Sequence, residues 1–565
     1  MQSYAEFLDL SVGFPQDGWK LLEDELYFHD INLMELAETF GTPLRFTYLP
    51  LISQKIQGAK KLFRQAMAEH QYQGTYTYCY CTKSSHFRHI LEEALANDIK
   101  LETSSAFDMP IIEALERKGL VNKEIMIVCN GFKKELYKEN IVDLLHDGFR
   151  NIIPVLDNKE EFNYYDNEVE SEMQLGIRLS AEEKPDFPFY TSRLGIRADE
   201  IVDFYQHKIK EDKRFKLKLL HFFVSSGFND TPHFWNELEK LVLTYAKLRK
   251  VCPDLHMLDI GGGLPFKNSL EFNYDYTYMI GEIIGRIKTI CNENGVPEPD
   301  IVTEFGSYTV AEASGIIFKV LARKQQNDRE KWLMVDGSMI TMLPDVWAMN
   351  QNFIMLPLNN WDAEYERVNI GGITCDSLDY YKTEPNNAST WMPKTRKAQY
   401  LAFFHTGAYQ ETLSGTGGIH HCLIPTPRHV LIAKPRTIKS ITDSSKRSKA
   451  ANKFSKSWDF RSKRPAKVDR NRLSLTPSNA ETHYHGRKYP QAQSRQEQNQ
   501  IHLEKSKTQG NHFGFVQQPE PGRQGIPFGI HRRRRGRGLA LKQSLNPSWA
   551  PAQGKFGFKL AELPY

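Results

Sequence analysis

The sequence predicts an α/β fold: a parallel (β/α)8 barrel, then a second, mostly antiparallel β domain, then a basic tail without regular structure. Three observations predict it. From about residue 46 to 300, short apolar runs rich in β-branched and aromatic residues alternate about eight times with stretches of helical spacing. After residue 308 strand-like runs follow one another with turn residues between them. After residue 433 the periodicity stops, and Ser, Gln, Arg, Lys, Pro and Gly dominate.

In chain order, the barrel strands are expected at TYTYCYC, DIKLET, EIMIVCN, NIIPVLD, MQLGIRLS, KLLHFFVSS, HMLDIGG and DIVTEFG. Between them HFRHILEEALAND, AFDMPIIEALERKG, KENIVDLLHDG and PHFWNELEKLVLTYAKLRK carry apolar residues at helical spacing. An open doubly wound sheet is the other architecture with this alternation, but no GxGxxG turn follows the first strand. The β domain is expected from TVAEASGIIFKVLARK, KWLMVDGS, VNIGGITC, QYLAFFHTGAY and HHCLIPTPRHVLI. The N-terminal segment with GTPLRFTYL is expected to contribute to it. These readings divide the chain into residues 1–45, a barrel at 46–307, a β domain at 308–433 and a tail at 434–565.

At 565 residues with 40% apolar and 12% aromatic content, the chain can bury a large core. The opening MQSYAEFLDLSVGF lacks the basic start and apolar run of a signal peptide, and no stretch is apolar enough to span a bilayer, so a soluble cytoplasmic protein is expected. The seven cysteines include no CxxC pair, which argues for reduced thiols and no metal site. Cys79 and Cys81 share one face of a strand and read as barrel core. The net charge of +4 hides a tail near +20 and a body near −16. Disorder is the plain reading of the tail. Nonspecific RNA binding is its functional alternative, and a frameshifted end is a third reading.

Several residues have the chemistry of a site. Lys83, in YCYCTKSSHF, ends a strand, where a barrel builds its active site; a strand-end lysine is otherwise simply solvated. Gly261, Gly262 and Gly263, in LDIGGGLP, let backbone amides approach a phosphate, or make an ordinary turn. Glu304, in IVTEFGSYTV, ends another strand and can face a heterocyclic nitrogen or water. In GGITCDSLDYY, Cys375 can deliver a proton, and Asp376 and Asp379 can hold a cation. The alternatives are a buried thiol and a turn.

In this order and spacing the segments resemble the fold type III pyridoxal-phosphate-dependent decarboxylases, the family of ornithine, diaminopimelate and biosynthetic arginine decarboxylases, from about residue 30 to 433. The resemblance implies a TIM-type barrel, pyridoxal 5'-phosphate as cofactor and a homodimer with shared active sites. It makes Lys83 the lysine that holds the cofactor as a Schiff base, Gly261–Gly263 the phosphate-binding triplet and Glu304 the partner of the pyridine nitrogen. Ser226 in FFVSSG and Tyr409 in HTGAYQ match further phosphate ligands. Glu102 in LETSS and Arg178 in IRLS match residues of the cofactor pocket. Cys375 and Asp376 would serve the partner's active site, Cys375 as proton donor at Cα.

Two positions depart from the family pattern. Its FHxGS motif reads Phe222-Phe223-Val224-Ser225-Ser226, so Phe223 can cover a ring but not carry charge. Its EPGR motif reads Glu304-Phe305-Gly306-Ser307, without the arginine. A divergent active subfamily is favoured over a dead enzyme, because the lysine, glutamate and thiol remain. An aspartate after the thiol, where diaminopimelate enzymes carry glutamate, implies a simple basic amino acid, with Asp379 assisting. The wording HFFVSS, TCDSLD and HTGAYQ resembles arginine enzymes, which make agmatine and carbon dioxide for polyamine synthesis. Ornithine, lysine or diaminopimelate decarboxylation, and a barrel that binds the cofactor without catalysis, are the alternatives.

Overall fold

The computed structural model describes residues 3–183, 188–381, 389–413 and 421–433; the tail expected at 434–565, with its RNA-binding alternative, lies outside the described residues. Eight strands form a closed barrel: β5 (Tyr76–Cys81), β6 (Lys100–Thr103), β7 (Ile127–Cys129), β8 (Ile152–Leu156), β9 (Met173–Arg178), β10 (Phe215–His221), β11 (Met257–Asp259) and β12 (Asp300–Glu304). Each pairs in parallel with its neighbours, and β12 closes on β5. Every residue of β7 and β8 is buried, as strands covered on both faces require. Cys79, Val128, Ile153, Val155, Leu219, Met257 and Val302 form a separate apolar cluster, so the thiol of Cys79 is a core group.

Helices return the chain between strands: α4 (Arg88–Leu95), α5 (Met109–Arg117), α6 (Glu135–His146), α7 (Glu161–Glu168), α8 (Ala198–Phe204), α9 (Pro232–Arg249) and α10 (Tyr276–Asn294), with α3 (Pro50–Glu69) entering β5. Local chemistry sets their ends. The Thr231 side chain accepts from the Phe234 amide and Pro232 opens α9, while α10 starts at an Asp275 cap and stops at Gly295 with φ +63°. No helix among the described residues is long and apolar enough to cross a membrane.

The second sheet centres on β13 (Ser314–Gln325), which pairs antiparallel with β4 (Leu44–Tyr48), β14 (Lys331–Val335) and β19 (Tyr400–Phe404). The pairs β14 with β16 (Tyr365–Gly371) and β4 with β20 (Arg428–Ile432) are parallel, so the sheet is mixed. β4, within the segment GTPLRFTYL expected to contribute to the β domain, lies between β13 and β20, so the barrel boundary drawn at residue 46 falls inside a strand of this sheet. The N-terminal segment, with α1 (Tyr4–Val12) and a small antiparallel sheet of β1 (Trp19–Leu22), β2 (Glu25–Phe28) and β3 (Ile31–Asn32), packs on the same domain. The Tyr4 amide donates to the Ala363 carbonyl at 3.0 Å, and Phe14 stacks on Trp361 with ring centres 5.3 Å apart.

Candidate active site

A parallel barrel places the C-terminal ends of all its strands on one rim, so polar residues at those ends converge. Lys83 lies in the 3-10 turn Thr82–Ser84 just after β5, Glu102 is in β6, Asn130 follows β7, and Arg178, His221 and Glu304 end β9, β10 and β12. All six line one cavity of about 380 Å³, with Phe223 and residues of the segment after β9.

A continuous chain of contacts joins them. Lys83 Nζ donates to Glu102 Oε2 at 2.8 Å. Asn130 Nδ2 donates to Glu102 Oε1 at 3.2 Å and to Glu304 Oε1 at 2.6 Å. Glu304 Oε2 lies 3.3 Å from His221 Nε2. Behind them Asp259, fully buried, accepts from the Gly261 amide at 2.8 Å, and it brings an oxygen within 4.8 Å of Glu304 and His221.

The electrostatics separate the two buried acids. Burial alone would raise Glu304, but the charge and hydrogen bond of His221, the ammonium of Lys83 and a proton from Asp259 hold it down to about 2. Asp259 moves the other way, well above the carboxylate range, through burial and then the charge of Glu304. Glu304 is therefore the fixed anion and Asp259 the protonated neighbour. Lys83 is held well above the ordinary lysine value: burial opposes its charge, but Cys81, Glu102 and Glu304 outweigh it.

The loops after β10 and β11 press together. Gly263 has φ +96°, and a Cβ there would lie 2.6 Å from Gly227 Cα; one on Gly262 would lie 2.4 Å from the Glu304 carbonyl oxygen. Only glycine permits this approach. Ser226 Oγ, one residue before Gly227, is buried without a hydrogen-bond partner among the described residues, as is Arg178 Nε. The Tyr409 amide donates to the Ser84 carbonyl at 2.9 Å, tying that tyrosine beside the Lys83 turn.

A phosphorylated aldehyde on a pyridine ring fits these donors. An amine, a fixed carboxylate, a glycine cradle and a buried hydroxyl are the groups such a molecule needs, and the last has no partner among the described residues to satisfy it. Lys83 would hold the aldehyde carbon, Glu304 the ring nitrogen, and Gly261–Gly263 with Ser226 the phosphate.

The remaining sequence-predicted residues lie elsewhere. Cys375 and Asp376 are not among the residues lining the cavity. Cys375 is exposed, with its sulfur 3.4 Å from that of Cys422. Asp379, expected to assist with a substrate cation, is a correction: it is buried, its Oδ1 accepting from Ser338 Oγ and the Met339 amide and its Oδ2 from the amide and hydroxyl of Thr374. Both oxygens are spent on holding the turn.

Sequence reasoning missed Asn130, His221 and Asp259. Their common signal is position, since each is a polar residue at or just beyond the C-terminal end of a barrel strand. The expected strand KLLHFFVSS stops at His221, so Phe223 is a loop residue, 38% exposed on the cavity wall.

Residues 54–311 match the family model described as the pyridoxal-binding domain of pyridoxal-dependent decarboxylases. The biosynthetic arginine decarboxylase of Citrifermentans bemidjiense is 27% identical over 322 residues, 54% of this chain and 49% of that protein. That of Bacteroides thetaiotaomicron is 24% identical over 360 residues, 59% of this chain and 54% of the relative. The chain thus spans about half the length of the curated relatives it matches. Among solved structures, the biosynthetic arginine decarboxylase of Campylobacter jejuni superposes with TM-score 0.64 at 19% identity, covering 77% of this chain and 86% of that one. A diaminopimelate decarboxylase from M. jannaschii gives TM-score 0.63 at 20% identity, covering 74% and 93%.

Proposed function

We propose, from a barrel that belongs to the pyridoxal-dependent decarboxylase family, that this chain removes the α-carboxylate of a basic L-amino acid, with arginine as substrate and agmatine and carbon dioxide as products. The observation that carries the reading is the unbroken run from Lys83 through Glu102, Asn130 and Glu304 to His221 on the barrel rim.

Bound there, pyridoxal 5'-phosphate supplies an electron sink for the electron pair left when the carboxylate departs. Glu304, kept ionised by its neighbours, accepts a hydrogen bond from the ring nitrogen and holds its proton in place. Lys83 Nζ holds the cofactor before substrate arrives, and Glu102 and Asn130 orient it. Phe223 covers the ring face and excludes water. Gly261–Gly263, Ser226 and Tyr409 anchor the phosphate, and Arg178 supplies a cation in the same cavity. Cys375 delivers a proton to Cα, and Asp376 pairs with the distal cation of the substrate. Their position away from the cavity of their own chain supports a homodimer in which each protomer lends them to its partner.

Asp376 and the relatives named as arginine decarboxylases favour arginine over ornithine, lysine and diaminopimelate. The test is carbon dioxide release by the full, cofactor-loaded chain from each of these four amino acids. Arginine is expected to give the highest kcat/KM, and Lys83→Ala to abolish both turnover and the absorbance of covalently held cofactor. Cofactor binding with no carbon dioxide from any of the four would establish a non-catalytic pyridoxal-phosphate protein instead.

A further inference from the structure

Outside the cavity, a second cluster joins the segment after β16 to the stretch before β20. Cys375 Sγ is 3.4 Å from Cys422 Sγ, and His421 Nδ1 is 3.0 Å from Cys422 Sγ. The other imidazole nitrogen, Nε2, faces Asp376 Oδ2 at 3.4 Å. Ligand atoms of Cys375, His421 and Cys422 all lie within 4.8 Å of one another. Of the seven cysteines the other five are buried, so these two are the chain's exposed thiols.

We propose that Cys375 Sγ, Cys422 Sγ and His421 Nδ1 bind a zinc-like divalent cation, with a fourth position open to solvent and Asp376 holding the imidazole from behind. Two thiolates and an imidazole are the donor set that selects zinc over harder cations. A ligating histidine ordinarily gives its second ring N–H to a carboxylate, the relation His421 has to Asp376.

The sulfur separation discriminates between a metal and a disulfide. Tetrahedral bonds of ~2.3 Å put two sulfurs ~3.8 Å apart, so the pair need open only ~0.4 Å. A disulfide bond of ~2.05 Å would require it to close by ~1.3 Å. Binding converts two thiols into thiolates and releases their two protons to solvent, while the imidazole enters neutral. No electron is transferred.

Occupancy has a consequence that rests on the decarboxylase reading. A metal-bound thiolate has no proton to deliver, so zinc on Cys375 and turnover exclude each other. Loss of zinc restores the thiol.

The test uses the full, cofactor-loaded chain, with zinc titrated against a chromophoric chelator and cobalt(II) as spectroscopic probe. Expected are one zinc per chain, thiolate-to-cobalt charge-transfer absorption and loss of turnover in step with zinc uptake. Cys422→Ser and His421→Ala should weaken uptake at least tenfold, and Asp376→Asn should weaken it roughly 10–100-fold. Metal-free turnover of Cys422→Ser should match the unsubstituted enzyme, and its turnover should resist zinc. Zinc uptake equal in the unsubstituted chain and in Cys422→Ser overturns the site. So does failure to take up zinc together with a two-hydrogen mass loss joining Cys375 to Cys422 under oxidised glutathione, which identifies a disulfide pair. Stoichiometric zinc with turnover intact overturns the coupling to Cys375, whereas stoichiometric zinc on a chain that never releases carbon dioxide overturns the decarboxylase reading alone.

Discussion

Glu304→Gln separates what the buried cluster does for catalysis from what it does for stability. Glutamine keeps the shape and can still accept from Asn130 Nδ2, now 2.6 Å from Glu304 Oε1, but it carries no charge. A unit charge at hydrogen-bonding distance of about 3 Å is worth ~5 kcal/mol at an effective dielectric near 20. A neutral hydrogen bond retains about 1 kcal/mol of that. The remaining ~4 kcal/mol corresponds to a fall in kcat of two to three decades at ~1.4 kcal/mol per decade. Stability should respond differently. Glu304 is held down to about 2, which favours its ionised form, but its charge also raises the buried Asp259, and the substitution relieves that penalty. The two effects oppose, so the thermal midpoint should change little. The assay is kcat for carbon dioxide release at saturating arginine and cofactor, alongside the melting curve. A Glu304→Gln enzyme within tenfold of the unsubstituted kcat would refute the assignment of Glu304 as the fixed anion.

Three further outcomes follow from other parts of the structure. Gly263→Ala should weaken cofactor affinity at least tenfold by fluorescence titration with far-ultraviolet dichroism unchanged, because its Cβ would meet Gly227 Cα at 2.6 Å; unchanged affinity would count against the phosphate cradle. Glu161→Gln should cost ~3–5 kcal/mol in urea unfolding, since it removes the charge paired with Lys133, whose Nζ lies 3.0 Å from Glu161 Oε1 with both side chains buried, and leaves that ammonium to neutral acceptors such as the Gly131 and Val155 carbonyls; a cost under ~1 kcal/mol would contradict this. His405 is lowered to about 4 by burial, so between pH 6.5 and 4 the unfolded chain binds a proton the folded chain refuses, and stability should fall as the pH drops through that window, by up to ~3 kcal/mol. His405→Asn should flatten that part of the stability profile, and an unchanged slope would remove His405 as its cause.

The barrel was legible because strands buried on both faces read as short continuous apolar runs, and amphipathic helices of one apolar stripe separate them. Lys83 and Glu304 were legible through their order with the glycine triplet. Asn130 and His221 carry no motif, and only closure of the barrel brings them to the same carboxylate. Asp376 and Asp379 look alike in TCDSLD, yet Asp379 is claimed by Ser338 and Met339, some forty positions earlier in the chain. The boundary at residue 46 shows the same non-local logic: GTPLRFTYL reads as a piece of the β domain, but only its pairing with β20, across most of the described chain, shows that the strand runs on to Tyr48. Such contacts are set by tertiary packing, and no local pattern announces them.

The departures at Phe223 and Ser307 bear on how the cavity handles charge. Three carboxyl groups, Glu102, Asp259 and Glu304, are buried at one end of the barrel, an arrangement that would be prohibitive if all were ionised and unpaired. Protonating Asp259 removes one charge, Lys83 pairs with Glu102, and His221 pairs with Glu304, so the Glu304 anion is held by groups at and just beyond the barrel strand ends. Phe223 can therefore be an uncharged cover, because His221, two residues earlier, already supplies the imidazole that Glu304 meets. The phosphate side is different. With serine at position 307, a phosphate held as proposed would meet backbone amides and the hydroxyl of Ser226, which are neutral donors. Under that proposal its charge would be met by dipoles in a tight cradle, and the glycine approach at Gly227 and Gly263 would matter more in this chain than beside an arginine.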